Sequence, residues 1–251
     1  MTQGFTVENW KLKLTGHPRE DSFSLDRDSG IIAVADGVTR DPSKYLPNKK
    51  DLFGMLKFLW LYPNPSPAQL TAKIFTGIFP EVLRNYEEQN RDEKAVRKAV
   101  EEANHAINWW NQANIQTPDY LTSDLGGCVV AGASERRGIV SLVYLCDCGV
   151  AIFDKKGNIR FKTKDEGPNN EKNTNYWKNF LAERGGWGNP KARGEFRKTA
   201  RNNPQQENSF GVLTGEKAAM HYLRTSTQEL NDKEILIVYT DGLEQDVKQS
   251  F

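Results

Sequence analysis

Two spacings of hydrophobic residues alternate along the chain and predict its elements. Residues 22–25 and 31–35 have strand character on either side of the turn sequence DRDSG, which predicts a β-hairpin. Residues 92–114 instead repeat apolar side chains at spacings of three and four, which predicts an amphipathic helix whose apolar stripe packs in the core. We expect an apolar helix at 51–62, and another at 68–90 that is interrupted at Pro80.

The second half of the chain returns to short segments of strand character. These segments are residues 128–133, 139–145, 150–153, 159–161 and 235–239, and an interrupted alternation at 5–14 adds one more. The connections SERRG, DCG and KKGN are short enough to join only antiparallel neighbours, so the first four segments predict a β-meander. Residues 162–210 fit neither period, and we expect either a mobile insertion or a loop-rich lobe that its aromatic residues partly pack.

Composition narrows the class of protein without identifying a function. The chain has 251 residues, of which 37% are hydrophobic and 27% charged, and we expect one folded domain because no linker-like stretch divides it. The net charge of +1 lacks the basic excess of nucleic-acid binders. Neither a signal peptide nor a membrane span is visible, which favours a cytoplasmic location without membrane contact. The three cysteines are expected to be buried, reduced thiols rather than a zinc site.

Two of the predicted strands end in the same way. IIAVADG ends at Asp36–Gly37 and ILIVYTDG ends at Asp241, and an acidic pair, Glu20–Asp21, precedes the strand that pairs with the first. Carboxylate and carbonyl oxygens are the ligands that Mg²⁺ and Mn²⁺ prefer, so these ends together would form a site for a hard divalent cation. An Asp-Gly pair is also a common turn, and spacing alone leaves the two interpretations about equal.

The order of the motifs adds a family resemblance. REDSF, IIAVADGV, LGGCVVAG, VYLCDCGVAIF and ILIVYTDGL resemble, in that order, the motifs of the metal-dependent protein phosphatases of type 2C, and EEANHAIN resembles the second long helix of that family. The resemblance covers nearly the whole chain. It implies an α+β fold, a four-layer α-β-β-α sandwich of two antiparallel sheets flanked by helices. Residues 162–210 would then be the variable flap beside the active site.

The resemblance also assigns roles to individual residues. Asp36 would bridge two metal ions, the Gly37 carbonyl would bind one of them and Asp241 the other, which makes Asp36 and Asp241 the predicted catalytic residues. Glu20 and Asp21 would hold metal-bound waters. Asp147, in LCDCG, matches the position at which the family binds a third, weaker ion.

The resemblance implies a chemistry that needs no protein nucleophile. Two Mg²⁺ or Mn²⁺ ions would generate hydroxide from a shared water and neutralise a phosphoryl group during in-line attack. The expected substrate is a protein phosphorylated on serine or threonine, with a cognate Ser/Thr kinase as a further partner. An aspartyl-nucleophile phosphohydrolase is disfavoured, because the required Asp two residues before Asp36 is Val34.

Departures from the family pattern keep a second function open. Gly16 occupies the position of the family's phosphate-binding Arg, and Arg19 and Arg40 are the candidate substitutes. Cys146 and Cys148 replace the Gly and Ser on either side of the family's Asp. The family's last metal-binding Asp has no counterpart, which is expected either of a truncated sequence or of a divergent member with weakened metal binding. The alternative function is therefore a pseudophosphatase that binds a phosphoprotein or another partner without turnover.

Overall fold

The structure is a computed structural model that describes residues 19–38, 61–121 and 123–241. Within these ranges the strands form two antiparallel sheets, and helices complete an α+β fold. The strands are β1 (Ser22–Asp26), β2 (Ile31–Gly37), β3 (Cys128–Arg136), β4 (Ile139–Leu145), β5 (Gly149–Phe153), β6 (Ile159–Lys162), β7 (Arg224–Glu229) and β8 (Ile235–Tyr239). The α-helices are α1 (Pro67–Arg84), α2 (Glu93–Asn114), α3 (Glu171–Ala182) and α4 (Pro190–Ala200). The predicted α+β class with two antiparallel sheets is confirmed.

The first sheet has the order β1-β2-β3-β4-β7, and β2 lies near its centre. The predicted β1–β2 hairpin is present, with Ser22 opposite Ala35. Alternate residues of β2, namely Ile31, Ala33 and Ala35, are completely buried. The register with β3 places Gly37 opposite Cys128, so β2 keeps its sheet pairing up to the Asp36–Gly37 end. This pairing holds the acidic end of β2 in a fixed position.

The second sheet has the order β6-β5-β8 and packs against the first. The predicted meander is wrong at one connection, because β4 pairs with β7 and β5 pairs with β6 and β8. The chain therefore crosses from one sheet to the other at residues 146–148, and Cys146 has a φ of 68°, in the left-handed region. The short DCG connection is not a hairpin turn but a crossing between layers.

Helix α1 lies on the first sheet and begins at a defined cap. The Ser66 hydroxyl accepts a hydrogen bond from the Gln69 backbone N–H, and Pro67 occupies the first turn, where a missing N–H has no cost. The predicted interruption at Pro80 is wrong, because α1 continues through it to Arg84. Phe75, Phe79 and Leu83 are completely buried around the proline, so tertiary packing offsets the lost helical hydrogen bond.

Helix α2 matches its prediction closely. The Asp92 side chain caps it by accepting the backbone N–H groups of Lys94 and Ala95 at 2.9 and 3.0 Å. The predicted apolar stripe is buried: Val96, Ala99, Val100, Ala103 and Ile107 all pack in the core. Two buried asparagines, Asn104 and Asn111, lie in the same helix.

The segment at 162–210 contains helices α3 and α4, which were not predicted. Strand β7 was also missed. The expected strand at 5–14 and nearly all of the helix at 51–62 lie outside the described residues. The cysteines are free and buried, as predicted. Among the described helices, we find none that is both long and apolar enough to cross a membrane.

Candidate metal site

The two Asp-ending strands lie in different sheets that face each other. Strand β2 of the first sheet contacts β8 of the second, and the chain leaves β8 through Thr240 to an exposed Asp241. Asp36 and Asp241 are close enough for the charge of Asp241 to raise the pKa of Asp36. The fold thus brings together the two carboxyl groups that the sequence placed at strand ends.

Asp36 has the largest pKa shift among the acids of this group. Burial and then the negative charges of Asp21, Asp241 and Asp147, in that order of effect, together raise the pKa of Asp36 to about 9. The shift has the sign expected of a carboxyl group surrounded by others without a bound cation. Such a group releases its proton readily only when positive charge replaces it.

Asp21 lies directly beside Asp36. The residue precedes β1, whose Ser22 is opposite Ala35 of β2, so the two acids adjoin at one end of the hairpin. A side-chain hydrogen bond joins them, which lowers the pKa of Asp21 and raises that of Asp36, so Asp36 is the donor. Partial burial and the charge of Asp241 nevertheless leave the pKa of Asp21 above its ordinary value, against the opposing charge of Arg19.

Asp147 reaches the same region from the crossing between the sheets. Burial and the charges of Asp241 and Asp165 together raise the pKa of Asp147 to about 6. The Cys146 thiol donates to the Asp147 carboxylate. The Oδ1 atom of Asp147 is buried and lacks a hydrogen-bond donor among the described residues. A buried carboxylate oxygen in this state is suited to accept a cation or water.

Asp165 is a fifth carboxylate that the sequence did not indicate. It follows β6, and its Oδ1 accepts the Gly167 N–H at 2.7 Å in a tight turn against Asp147. The neighbouring Glu166 forms two hydrogen bonds with Arg224 of β7, at 3.1 and 3.0 Å. The only local signal was the acidic turn sequence DEG, and its position beside Asp147 depends on the crossing between the sheets.

Glu20 is held by the start of helix α1. Its Oε1 accepts hydrogen bonds from the Tyr62 hydroxyl at 2.8 Å and the Ser66 hydroxyl at 2.5 Å, and the residue is 7% exposed. Ser66 also caps α1, so one hydroxyl connects the helix to the acidic segment. The predicted contact of Glu20 with a metal-bound water stays a prediction, and the observed hydrogen bonds give the residue a positioning role.

Gly37 occupies a position where only a glycine fits. A Cβ atom there would lie 2.6 Å from the Ala68 carbonyl oxygen in the first turn of α1, and 2.9 Å from the Glu20 carbonyl oxygen. Both contacts are to backbone, which cannot move as a side chain can. The glycine therefore allows α1 and the acidic segment to approach the end of β2.

The two candidate phosphate-binding arginines have different positions. Arg19 is partly exposed, and its charge lowers the pKa of Asp21, which places its guanidinium near the carboxylates. Arg40 lies outside the described residues. Of the two candidates for phosphate binding, Arg19 is therefore the one that lies near the carboxylates within the described residues.

The carboxylates provide the negative charge that a divalent cation needs, but they do not surround a single ion with several protein side chains. Over the residues that the structure covers, no group of three or more His, Cys, Asp or Glu side chains is arranged to hold a metal ion. Mg²⁺ commonly keeps several waters and binds through one or two carboxylates, so the mutually repelling acids fit an ion of this kind. A site with three or four protein side chains on one ion does not fit.

Solved structures with a similar fold include serine/threonine phosphatases. The catalytic domain of PstP in complex with two manganese ions aligns with a TM-score of 0.55 at 14% identity, over 92% of this chain and 77% of that one. PstP from Mycobacterium tuberculosis gives 0.55 at 17%, over 93% and 76%. PppA, a key regulatory component of T6SS in Pseudomonas aeruginosa, gives 0.53 at 11%, over 93% and 75%.

This fold is the one that these phosphatases share. The photosystem II phosphatase PBCP also matches it, with a TM-score of 0.51 at 16% identity over 97% of this chain and 70% of that one. No family model and no curated protein matches the sequence. At these identities the likeness shows the fold alone, and the chemistry of this chain must be argued from its own residues.

Proposed function

We propose that this protein is a Mg²⁺- or Mn²⁺-dependent phosphatase acting on phosphoserine or phosphothreonine in proteins. The observation that carries the proposal is the convergence of Asp21, Asp36 and Asp147 on Asp241, whose charge raises the pKa of each of the other three where the two sheets meet. Carboxyl groups that repel one another in this way destabilise a fold unless a cation uses them. The similar fold of manganese-bound PstP supports the same conclusion.

The proposed roles follow the position of each residue. Asp36 would bridge two ions, with the Gly37 carbonyl on one and Asp241 on the other. Asp21 and Glu20 would orient bound waters, and Asp147 would take part in a third, weaker site. When bound, the ions would activate water and neutralise charge on the phosphoryl group. Arg19 or Arg40 would bind the phosphate oxygens.

The test is phosphate release from a phosphothreonine peptide in the presence of Mn²⁺. We expect activity that a chelator removes, and we expect Asp36→Asn to reduce it to the background rate. Asp232→Asn is the matched control, because Asp232 is an exposed acid in the turn before β8. Full activity of Asp36→Asn, or no activity of the wild type on any phosphopeptide, would contradict the proposal.

A pseudophosphatase that binds phosphoproteins without turnover is the second candidate. The observation that favours it is the lack, within the described residues, of three side chains arranged around one metal position. Calorimetry separates the two functions. A folded protein that binds no Mn²⁺ at millimolar concentration favours the binding module, whereas two saturable sites favour the enzyme.

We further propose that residues 162–210 act as a flap that selects the substrate. The part from Glu171 to Arg201 contains eight Lys and Arg residues but only three Glu, a local charge of +5 in a chain of net charge +1. Positive charge of this kind attracts acidic or phosphorylated polypeptides. A surface insertion without a specific role is the competing interpretation, and peptide selectivity distinguishes the two.

A further inference from the structure

Helices α3 and α4 form a hairpin whose aromatic side chains pack against one another and belong to the main hydrophobic core. The Trp177 ring contacts Phe180 and Phe196 edge to face, with centroids 5.4 and 5.0 Å apart, and Phe196 lies 6.0 Å from Phe210. The Trp177 indole N–H donates to the Asn208 carbonyl at 2.8 Å. Apolar packing therefore holds the hairpin against the rest of the fold, and polar contacts at its end can fix its orientation.

A buried ion pair lies at this junction. Arg201, directly after α4, donates through Nη2 to Asp124 Oδ1 at 2.5 Å and through Nη1 to Oδ2 at 3.3 Å. Both side chains are only 3% exposed. The Arg201 guanidinium also lies 5.3 Å from the centre of the Tyr120 ring. A two-bonded pair in a dry environment fixes both distance and orientation, which a single surface contact does not.

The backbone after Arg201 continues the connection towards the candidate metal site. Asn202 exchanges hydrogen bonds with Val212, from its side-chain amide to the Val212 carbonyl and from the Val212 N–H to its side-chain oxygen, both at 2.9 Å. The next residue, Leu213, exchanges backbone hydrogen bonds with Cys128 at 2.9 and 3.1 Å. Cys128 is the partner of Gly37 in the first sheet. Hydrogen bonds and sheet pairing thus lead from Arg201 to the end of β2.

We propose that Asp124 and Arg201 are a positioning pair that sets the α3–α4 hairpin relative to the candidate metal site. The hairpin contacts a phosphorylated polypeptide only when it is held in this position. A small phosphate ester reaches only the carboxylate end of the sheets, so its hydrolysis does not depend on the position of the hairpin. The inference rests on the proposed phosphatase function and adds the residues on which its preference for polypeptides depends.

Two variants test the pair, so that the test does not depend on the correct folding of a single variant. Asp124→Asn weakens the pairing, and the double variant Asp124→Leu/Arg201→Met replaces both charges by apolar groups, a type of exchange that buried pairs often tolerate. Arg84→Ala is the matched control, because Arg84 forms a surface ion pair with Asp26 at 2.9 Å that lies outside the hairpin.

The readout is the split between a phosphothreonine peptide and p-nitrophenyl phosphate. In both pair variants we expect KM for the peptide to rise about tenfold, with kcat and all constants for p-nitrophenyl phosphate within about twofold of the wild type. Arg84→Ala should change the constants for neither substrate. Equal losses on both substrates would show a purely structural pair, and no loss on either would remove the inference.

Hydrogen exchange gives a result that does not depend on activity. We expect faster amide exchange in residues 171–200 of both pair variants, with no change in α2. If the wild type hydrolyses neither substrate, the phosphatase proposal fails while the exchange result still decides whether the pair positions the hairpin. Unchanged exchange in residues 171–200 would overturn the positioning role.

Discussion

Asp36 keeps a proton that an aspartate on an ordinary surface would release. Burial and three neighbouring acids raise its pKa to about 9, and the proton is shared with Asp21 through a hydrogen bond. The same surroundings explain why a divalent cation would bind: it would remove the repulsion and replace the proton in one step. At the scale of single residues, the functional proposal is therefore an electrostatic one.

Gly37 provides a residue-scale prediction about stability. Gly37→Ala places a methyl group within 2.6 Å of the Ala68 carbonyl oxygen, and both of its closest neighbours are backbone. We expect the free energy of unfolding, measured by urea denaturation, to fall by about 1–3 kcal/mol. Gly77→Ala is the control, because the space around this glycine of α1 is open, and alanine there should stabilise by about 0.5–1 kcal/mol. An unchanged stability of Gly37→Ala would show that α1 does not approach β2 so closely.

At the scale of elements, the sequence predicted the two strands that lead into the candidate metal site better than it predicted the strands and turns around that site. Strands β2 and β8 have strong apolar patterns, Asp36 is the last residue but one of β2, and Asp241 lies two residues after β8, so local pattern was enough. Strand β7 has the polar sequence RTSTQE and no such pattern. Thr225 and Thr227 instead hydrogen-bond to Glu93 at 2.9 and 3.0 Å, so β7 is stabilised by contacts that only the fold supplies.

Asp165 and Pro80 show the same limit from two sides. Asp165 adjoins Asp147 because the chain crosses between sheets at Cys146, where a residue other than glycine has a left-handed φ. Sequence spacing contains no information about that crossing. Pro80 is a strong local breaker, and packing around Phe75 and Phe79 overrides it. Propensity and spacing therefore predicted elements with their own apolar pattern and failed where tertiary contacts decide.

The start of α1 gives the element-scale prediction. Ser66→Ala removes the helix cap and also the hydrogen bond at 2.5 Å to the buried Glu20. A lost cap costs about 1 kcal/mol, and a lost hydrogen bond to a charged group about 1.5–3 kcal/mol, so we expect a total loss of about 2–4 kcal/mol in urea denaturation. Asp92→Ala is the matched control, because Asp92 caps α2 without contacting the acidic segment, and it should cost only about 1 kcal/mol. Equal losses in the two variants would show that Ser66 is a cap alone.

At the scale of the whole molecule, the carboxyl groups couple folding to pH and to metal. The unfolded chain ionises Asp36 near its ordinary pKa of 3.8, whereas the folded protein retains that proton up to a pKa of about 9. Folding therefore binds protons between these values, and stability must fall as pH rises, by at most about 1.4 kcal/mol per pH unit for each proton. Asp147, with a pKa of about 6, adds to the lower part of this range.

A divalent cation should reverse this dependence, because it binds the ionised carboxylates of the folded state only. In chelator, we expect the thermal unfolding midpoint to fall as the pH is raised from about 5 to about 8. Added Mg²⁺ or Mn²⁺ should raise this midpoint far more at the higher pH, because fewer protons compete there for the carboxylates. Asp36→Asn should flatten the pH dependence and remove most of the cation effect, because it deletes both the titrating group and the proposed bridging ligand. Thermal unfolding followed by circular dichroism over this pH range measures both effects. A midpoint that is insensitive to pH in chelator, or a cation effect of equal size at both pH values, would show that these acids are not linked through a shared cation.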